Sequence, residues 1–157
     1  ESHGKELSLK LYGARALMSL RLEKNWGAWT LDFRPDFSAA ESGLDIFINW
    51  NKEFVGKKAA QDEKKRGPKK KLVTMTIDTK DIDVTNDEAI LKDNKCVGYI
   101  TSGGYAHHVK KSMALGYVPT ELSKHDTILD VEINGKLYSA HVTEKPLYDA
   151  NGGKMRS

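Results

Sequence analysis

Gly98-Tyr-Ile-Thr-Ser-Gly-Gly-Tyr105, followed by Lys111-Ser-Met-Ala-Leu-Gly-Tyr-Val-Pro119, is the stretch on which the fold turns. A glycine-rich segment lies between two apolar runs, so it reads as strand, tight turn at Gly103-Gly104, strand. Upstream, Leu72-Val-Thr-Met-Thr-Ile77 alternates β-branched and apolar residues, as a half-buried strand does. Ala89-Ile-Leu91, the turn Asp93-Asn94-Lys95 and Val97-Gly-Tyr-Ile100 read as a hairpin. Downstream, Ile128–Ile133 and Leu137–Val142 flank Asn134-Gly135, a strong two-residue hairpin signal. Short strands at regular turn spacing predict an antiparallel barrel or sandwich.

The first part of the chain reads differently. Leu7, Leu9 and Leu11 alternate with polar residues and predict a short extended segment. Ala14, Leu17, Met18 and Arg21 follow helical spacing, which predicts a helix over about 14–24. Residues 26–33 read as irregular or extended. Asp36 or Ser38 is placed to cap a short helix ended by Gly43. Leu44-Asp-Ile-Phe-Ile48 reads as a strand, and 55–65 as a second helix. The fold class expected is therefore α+β. Residues 1–62, too short to bury a core alone, end a mixed domain, and residues 63–157 form a β-barrel.

Composition narrows the function classes. The 157 residues are 39% hydrophobic and 30% charged, within the range of a soluble globular protein. No apolar run approaches the ~18 residues of a membrane span, so no membrane partner is expected. Net charge is +3, too small to imply nucleic acid. Six cations crowd Glu63-Lys-Lys-Arg-Gly-Pro-Lys-Lys-Lys71, however. That run reads as a solvated linker, with an anionic partner as its functional alternative. The single cysteine, Cys96, lies in an apolar run and is expected to be a buried small hydrophobe.

No catalytic or metal-ligating set emerges. His107-His108 would point to opposite faces of a strand and so not share one ion. Asp81-Ile-Asp83-Val-Thr85 starts like a calcium loop, but Asn86 stands where the glycine belongs and Lys92 where the glutamate belongs. Gly-x-Ser-x-Gly and phosphate-binding loops are absent, and Thr101-Ser102 reads as satisfying turn backbone groups. The aromatic faces of Trp26, Trp29 and Trp50 suit either core filling or stacking on a planar heterocycle.

In order and spacing, several segments together resemble the glycine-cleavage T-protein (aminomethyltransferase) family. They are Gly13-Ala-Arg-Ala-Leu-Met-Ser-Leu-Arg-Leu-Glu-Lys24, Glu41-Ser-Gly-Leu44, Phe54-Val-Gly-Lys57 with Ala59, Gly98 to Gly103, Ser112 to Pro119 and Pro146-Leu147. The likeness is to the carboxy-terminal part of that family. Aligning Ser19-Leu-Arg-Leu-Glu23 puts Leu17 and Met18 where simpler members carry an Arg-Asp pair whose arginine helps hold folate. That departure matches the folate-binding tail of the dimethylglycine and sarcosine dehydrogenase branch.

The resemblance implies a tetrahydrofolate-site-forming part of an enzyme that oxidatively demethylates N-methylglycines and passes the one-carbon unit to tetrahydrofolate. FAD would sit in an upstream domain, and the catalytic carboxylate would also lie upstream. The partners implied are folate and the amino-terminal part of the same protein. Trp29, Phe47 and Tyr105 are the folate contacts expected. Trp29 follows the helix that lines the family's site, and the pterin-packing aromatic falls at 45–47, with Ile46 at the strict position. The location implied is cytoplasmic, or the mitochondrial matrix in a eukaryote. The alternatives are an aminomethyltransferase of the glycine cleavage system and a stand-alone barrel module that binds an anionic partner.

Overall fold

The glycine-rich run does not turn where its sequence promises. In the computed structural model, which describes residues 2–154 and 156, one strand, β3, runs unbroken over Lys95–Ala106. The reversal comes later, over 107–110, where Lys110 has φ 58° and its amide bonds the Ala106 carbonyl at 2.7 Å. The glycines serve close approach instead. A Cβ on Gly103 would sit 2.6 Å from the Val84 carbonyl oxygen, one on Gly116 2.8 Å from that of Tyr99, and one on Gly98 would collide with the Tyr117 carbonyl. The register against the next strand shifts between Ile100 and Ser102, so Thr101 is the extra residue of a β-bulge that sharpens the bend.

The remaining strands are β1 (Lys70–Ile77), β2 (Ala89–Lys92), β4 (Lys111–Pro119), β5 (Ile128–Ile133) and β6 (Lys136–Thr143). They close in the order β1-β4-β3-β2-β5-β6, every pair antiparallel, which decides for the barrel over the sandwich. Asn134 and Gly135 both have positive φ, 48° and 74°, as a two-residue type I′ turn requires. Asp93 and Asn94 do the same at 50° and 61°, so Lys95 belongs to β3 and not to the turn. Val73, Met75, Ile77, Val84, Ile90, Ile100, Val118, Leu129, Val131, Ile133 and Val142 fill the interior.

Helix α1 (Ala14–Glu23) lies against β3 and β4, and α2 (Lys57–Arg66) precedes the barrel. The connection from α2 to β1 is Gly67 to Lys69, so most of the basic run belongs to the helix end and the strand start. Three expectations fail in this half. Ser2–Leu7 is a 3-10 helix, and 8–13 has no regular structure, where an extended segment was expected. Asp45–Phe47 is also 3-10, not strand: Phe47 N bonds Leu44 O at 3.0 Å and Ile48 N bonds Asp45 O at 3.1 Å. No strand lies alongside to offer a ladder, so local bonds win. Residues 36–43 make turns only. Ser38 and Glu41 nevertheless form a reciprocal cap, with each side chain accepting the other's backbone N–H at 3.1 Å.

Cys96 is exposed, contrary to expectation. It is the second residue of β3, one past Lys95 and the Asp93-Asn94 turn, outside the barrel interior, with its Sγ 3.4 Å from the Gly98 carbonyl. Among the described residues no helix is long and apolar enough to cross a membrane. Glu1, Met155 and Ser157 lie outside the described residues.

Candidate functional site

Where α1 meets the barrel, two charged side chains are buried together. Arg21 and Asp32 are 6% and 0% exposed. Arg21 Nη1 donates to Asp32 Oδ2 at 2.9 Å and to the Trp26 carbonyl at 3.1 Å, while Nη2 donates to Ser102 Oγ at 2.7 Å. Asp32 also accepts from the Ala28 amide at 2.7 Å and from Thr101 Oγ1 at 2.5 Å. Thr101 and Ser102 therefore serve this ion pair, not a turn. The Tyr117 hydroxyl donates to the Asp32 carbonyl at 2.9 Å and meets Ser42 Oγ at 2.8 Å, with Phe37 stacked on its ring at 3.5 Å. Burial pushes the Tyr117 hydroxyl above its ordinary pKa, against the opposing effect of Ser42. With its valences met on all sides, the cluster is a joint rather than a reactive centre. It fixes the 26–33 loop on the bulge of β3.

That loop walls a cavity of about 800 Å³. Asn25, Trp26, Phe33, Ile46 and Phe47 line one side, and Leu72 and Leu115 the barrel side. Lys24, Lys71, His125 and Glu144 add charged or titratable groups to its wall. Asn25 also lines it, while its Oδ1 is buried out of solvent reach without a hydrogen-bond partner. Such a site takes a flat, largely apolar ring.

The three expected folate contacts do not share one wall. Phe47 lines this cavity and is 77% exposed. Trp29 is 76% exposed and touches it only through Phe33, whose ring meets the indole edge-on at 5.6 Å. Tyr105 lines a separate cleft of about 490 Å³, bounded by Met18 and Ser19 of α1 and the 83–85 loop. Trp26, 53% exposed, and Trp29 do not fill the core, and Trp50 is half-buried beneath Lys64.

His107 and His108 lie in the turn and not on a strand. His108 Nδ1 donates to the fully buried Glu23 carboxylate at 2.9 Å, which also accepts the His108 amide at 2.6 Å. Among the described residues no three His, Cys, Asp or Glu side chains converge as metal ligands. Sequence reasoning missed Arg21, Asp32, Asn25 and Glu23. The signal available was a charge inside an apolar run, in Leu20-Arg-Leu-Glu23 and Leu31-Asp-Phe33. Nothing local reveals that the two charges face each other.

Comparison with known proteins agrees with this architecture. Residues 70–149 match the family model described as the glycine cleavage T-protein C-terminal barrel domain, and residues 2–52 match the GCVT N-terminal domain. The mitochondrial dimethylglycine dehydrogenase of Homo sapiens is 39% identical over 146 residues, which is 92% of this chain and 17% of that protein. The aminomethyltransferase of Acidobacterium capsulatum is 35% identical over 147 residues, 92% of this chain and 39% of that protein. The crystal structure of the glycine cleavage system aminomethyltransferase T from Bartonella henselae superimposes with a TM-score of 0.84 at 25% identity, covering 90% of this chain and 40% of that one. The chain thus spans well under half the length of these relatives.

Proposed function

The chain belongs to the glycine cleavage T-protein family, and from that premise we propose that it is the carboxy-terminal, tetrahydrofolate-site-forming part of an enzyme that oxidatively demethylates dimethylglycine or sarcosine. The observation that carries this reading is the identity to the dimethylglycine dehydrogenase over 92% of the chain. Leu17 and Met18, in place of an Arg-Asp pair, support the same branch over a plain aminomethyltransferase.

The residues present suit folate. A pterin is flat and mostly ring; the cavity is flanked by Trp26, Phe33 and Phe47, whose ring faces suit it. When bound, tetrahydrofolate supplies the amine that accepts the one-carbon unit. Phe47 and Ile46 would pack on the ring, and Trp29 would brace Phe33 from behind. The Arg21–Asp32 joint would hold this wall in place against the barrel, keeping water from the reactive carbon. Tyr105, in its own cleft, would contribute from the other side of α1.

The remaining surface supports an amino-terminal partner within the same protein. Leu7, Leu9, Leu11, Tyr12, Leu17 and Leu20 are all at least 40% exposed. Apolar side chains gathered this densely are normally covered. FAD and the catalytic carboxylate would belong to that preceding part. On this reading residues 1–62 close the folate domain, residues 63–157 form the barrel, and the location is the mitochondrial matrix in a eukaryote or otherwise the cytoplasm. Limited trypsin digestion tests the division: the first cut is expected between Lys64 and Lys71, leaving a folded carboxy-terminal fragment, and early cuts in the barrel beyond Lys71 would contradict it.

The functional test is formation of methylene-tetrahydrofolate from sarcosine or dimethylglycine and tetrahydrofolate. The full-length protein is expected to turn over and the 157 residues alone to be inert. Turnover by the isolated chain, or a full-length protein that uses neither amine, would overturn the reading.

A further inference from the structure

Between the last turn of α2 and the start of β1, Lys64, Lys65, Arg66, Lys69, Lys70 and Lys71 are all exposed. None of them ion-pairs with an acid among the described residues. Acids are close in sequence but turned to other work. Glu63 Oε1 accepts from Ser38 Oγ at 2.9 Å, and the Glu41 carboxylate accepts the Ser38 and Lys70 amides at 3.1 and 3.3 Å. Lys57, one helix length earlier, does find a partner, Glu53, at 2.7 Å. The α2 macrodipole accounts for cations at 64–66 but not for those at 69–71, which lie beyond the helix.

We propose that this edge docks an acidic protein surface in a transient, charge-steered contact, a role separate from the folate cavity, which Lys71 alone of these six lines. Like charges held together without counter-charges raise the local positive potential and speed encounter with an anionic partner. Eight residues are too few for a permanent interface, so the contact is short-lived. Nucleic acid fits less well, because the nearby ring faces are taken. Lys64 Nζ sits 4.8 Å over Trp50, and Phe37 is stacked on Tyr117 at 3.5 Å with Lys70 Nζ 5.9 Å from its centre. A lipid surface fits less well too, since residues 64–71 bring no exposed apolar side chain to insert.

The test uses the full-length protein and a fluorescein-labelled poly-glutamate decapeptide, read by anisotropy. Binding is expected at low salt and should weaken about tenfold or more when ionic strength is raised to physiological values. The variant Lys65→Glu/Arg66→Glu/Lys69→Glu keeps both ring-stacked lysines and Lys71, which lines the folate cavity. It should lose the peptide while its melting midpoint and amine-dependent turnover stay unchanged. Should it melt early, Lys65→Gln/Lys69→Gln should still weaken peptide binding severalfold. Equal peptide binding by wild type and the variants overturns the proposal. So does tighter binding, through the same lysines, of a duplex oligonucleotide of equal charge or of phosphatidylserine vesicles.

Discussion

The barrel and the segment before it bury opposite kinds of side chain. From Val73 to Val142 the interior is apolar and closed on itself, with no strand edge left open by the ring order. Before Val73, Leu22 is the one buried hydrophobic among the described residues, and its buried companions are Arg21, Glu23 and Asp32. The barrel is held by the hydrophobic effect, which needs only its own residues. The amino-terminal segment is held to it by a few fully satisfied polar contacts, while Leu7, Leu9, Leu11, Leu17 and Leu20 stay exposed. Leucines left exposed add nothing to the hold on the barrel.

Breaking the joint should have the largest effect. Asp32→Ala leaves Arg21 buried and uncompensated, at a cost of about 3–5 kcal/mol in denaturant unfolding. Replacing both charges together, Arg21→Met with Asp32→Leu, should recover much of that loss. Costs under about 1 kcal/mol for the single change would mean that the segment is fastened by something else. Within the barrel, Gly103→Ala should cost about 1–3 kcal/mol, because its Cβ meets the backbone of Val84 and not a movable side chain. A neutral result in thermal or urea unfolding would show that the bulge can yield.

Tyr117→Phe removes the hydroxyl that bridges Asp32 and Ser42 and keeps the stack on Phe37, so about 1 kcal/mol is expected. This residue also carries a pH signature. Its folded pKa is raised above the ordinary 10.0, so its contribution is fully present below pH 10 and is lost as pH climbs through the higher folded value. Stability of the wild type should fall in that alkaline window, and Tyr117→Phe should flatten the fall.

The smallest stability effect is expected at the cavity. Phe47→Ala, at a site 77% exposed, should change unfolding by no more than about 0.5 kcal/mol while weakening tetrahydrofolate binding by the full-length protein. Trp29→Phe should act in the same direction and less strongly, since Trp29 touches the cavity only through Phe33. A fluorescence titration beside a denaturant melt separates the two quantities. Unchanged folate affinity in both variants would place the ring elsewhere.

The barrel was legible because alternation and turn chemistry are local. Asn134-Gly135 and the β-branched run at 72–77 specify what they form almost regardless of context. The helices at 14–23 and 57–66 were legible for the same reason. The strand expected at Leu44–Ile48 failed because β propensity measures fit to a neighbouring strand, and none lies there. Family likeness named Phe47, which lines the cavity, whereas Asn25 on the same wall carried no sequence signal.

Residue order alone determined most of the barrel strands, the turns at Asp93-Asn94 and Asn134-Gly135, both helices and the family to which they belong, but not where β3 turns into β4. Tertiary structure decided the rest: that Gly98, Gly103 and Gly116 admit a neighbouring backbone, that Cys96 faces outward, and that Arg21 meets Asp32 and Ser102. Those outcomes depend on partners up to 81 residues apart in the chain. A residue's chemistry states which partners it can accept; only closure of the barrel and docking of α1 bring one of them within hydrogen-bond distance.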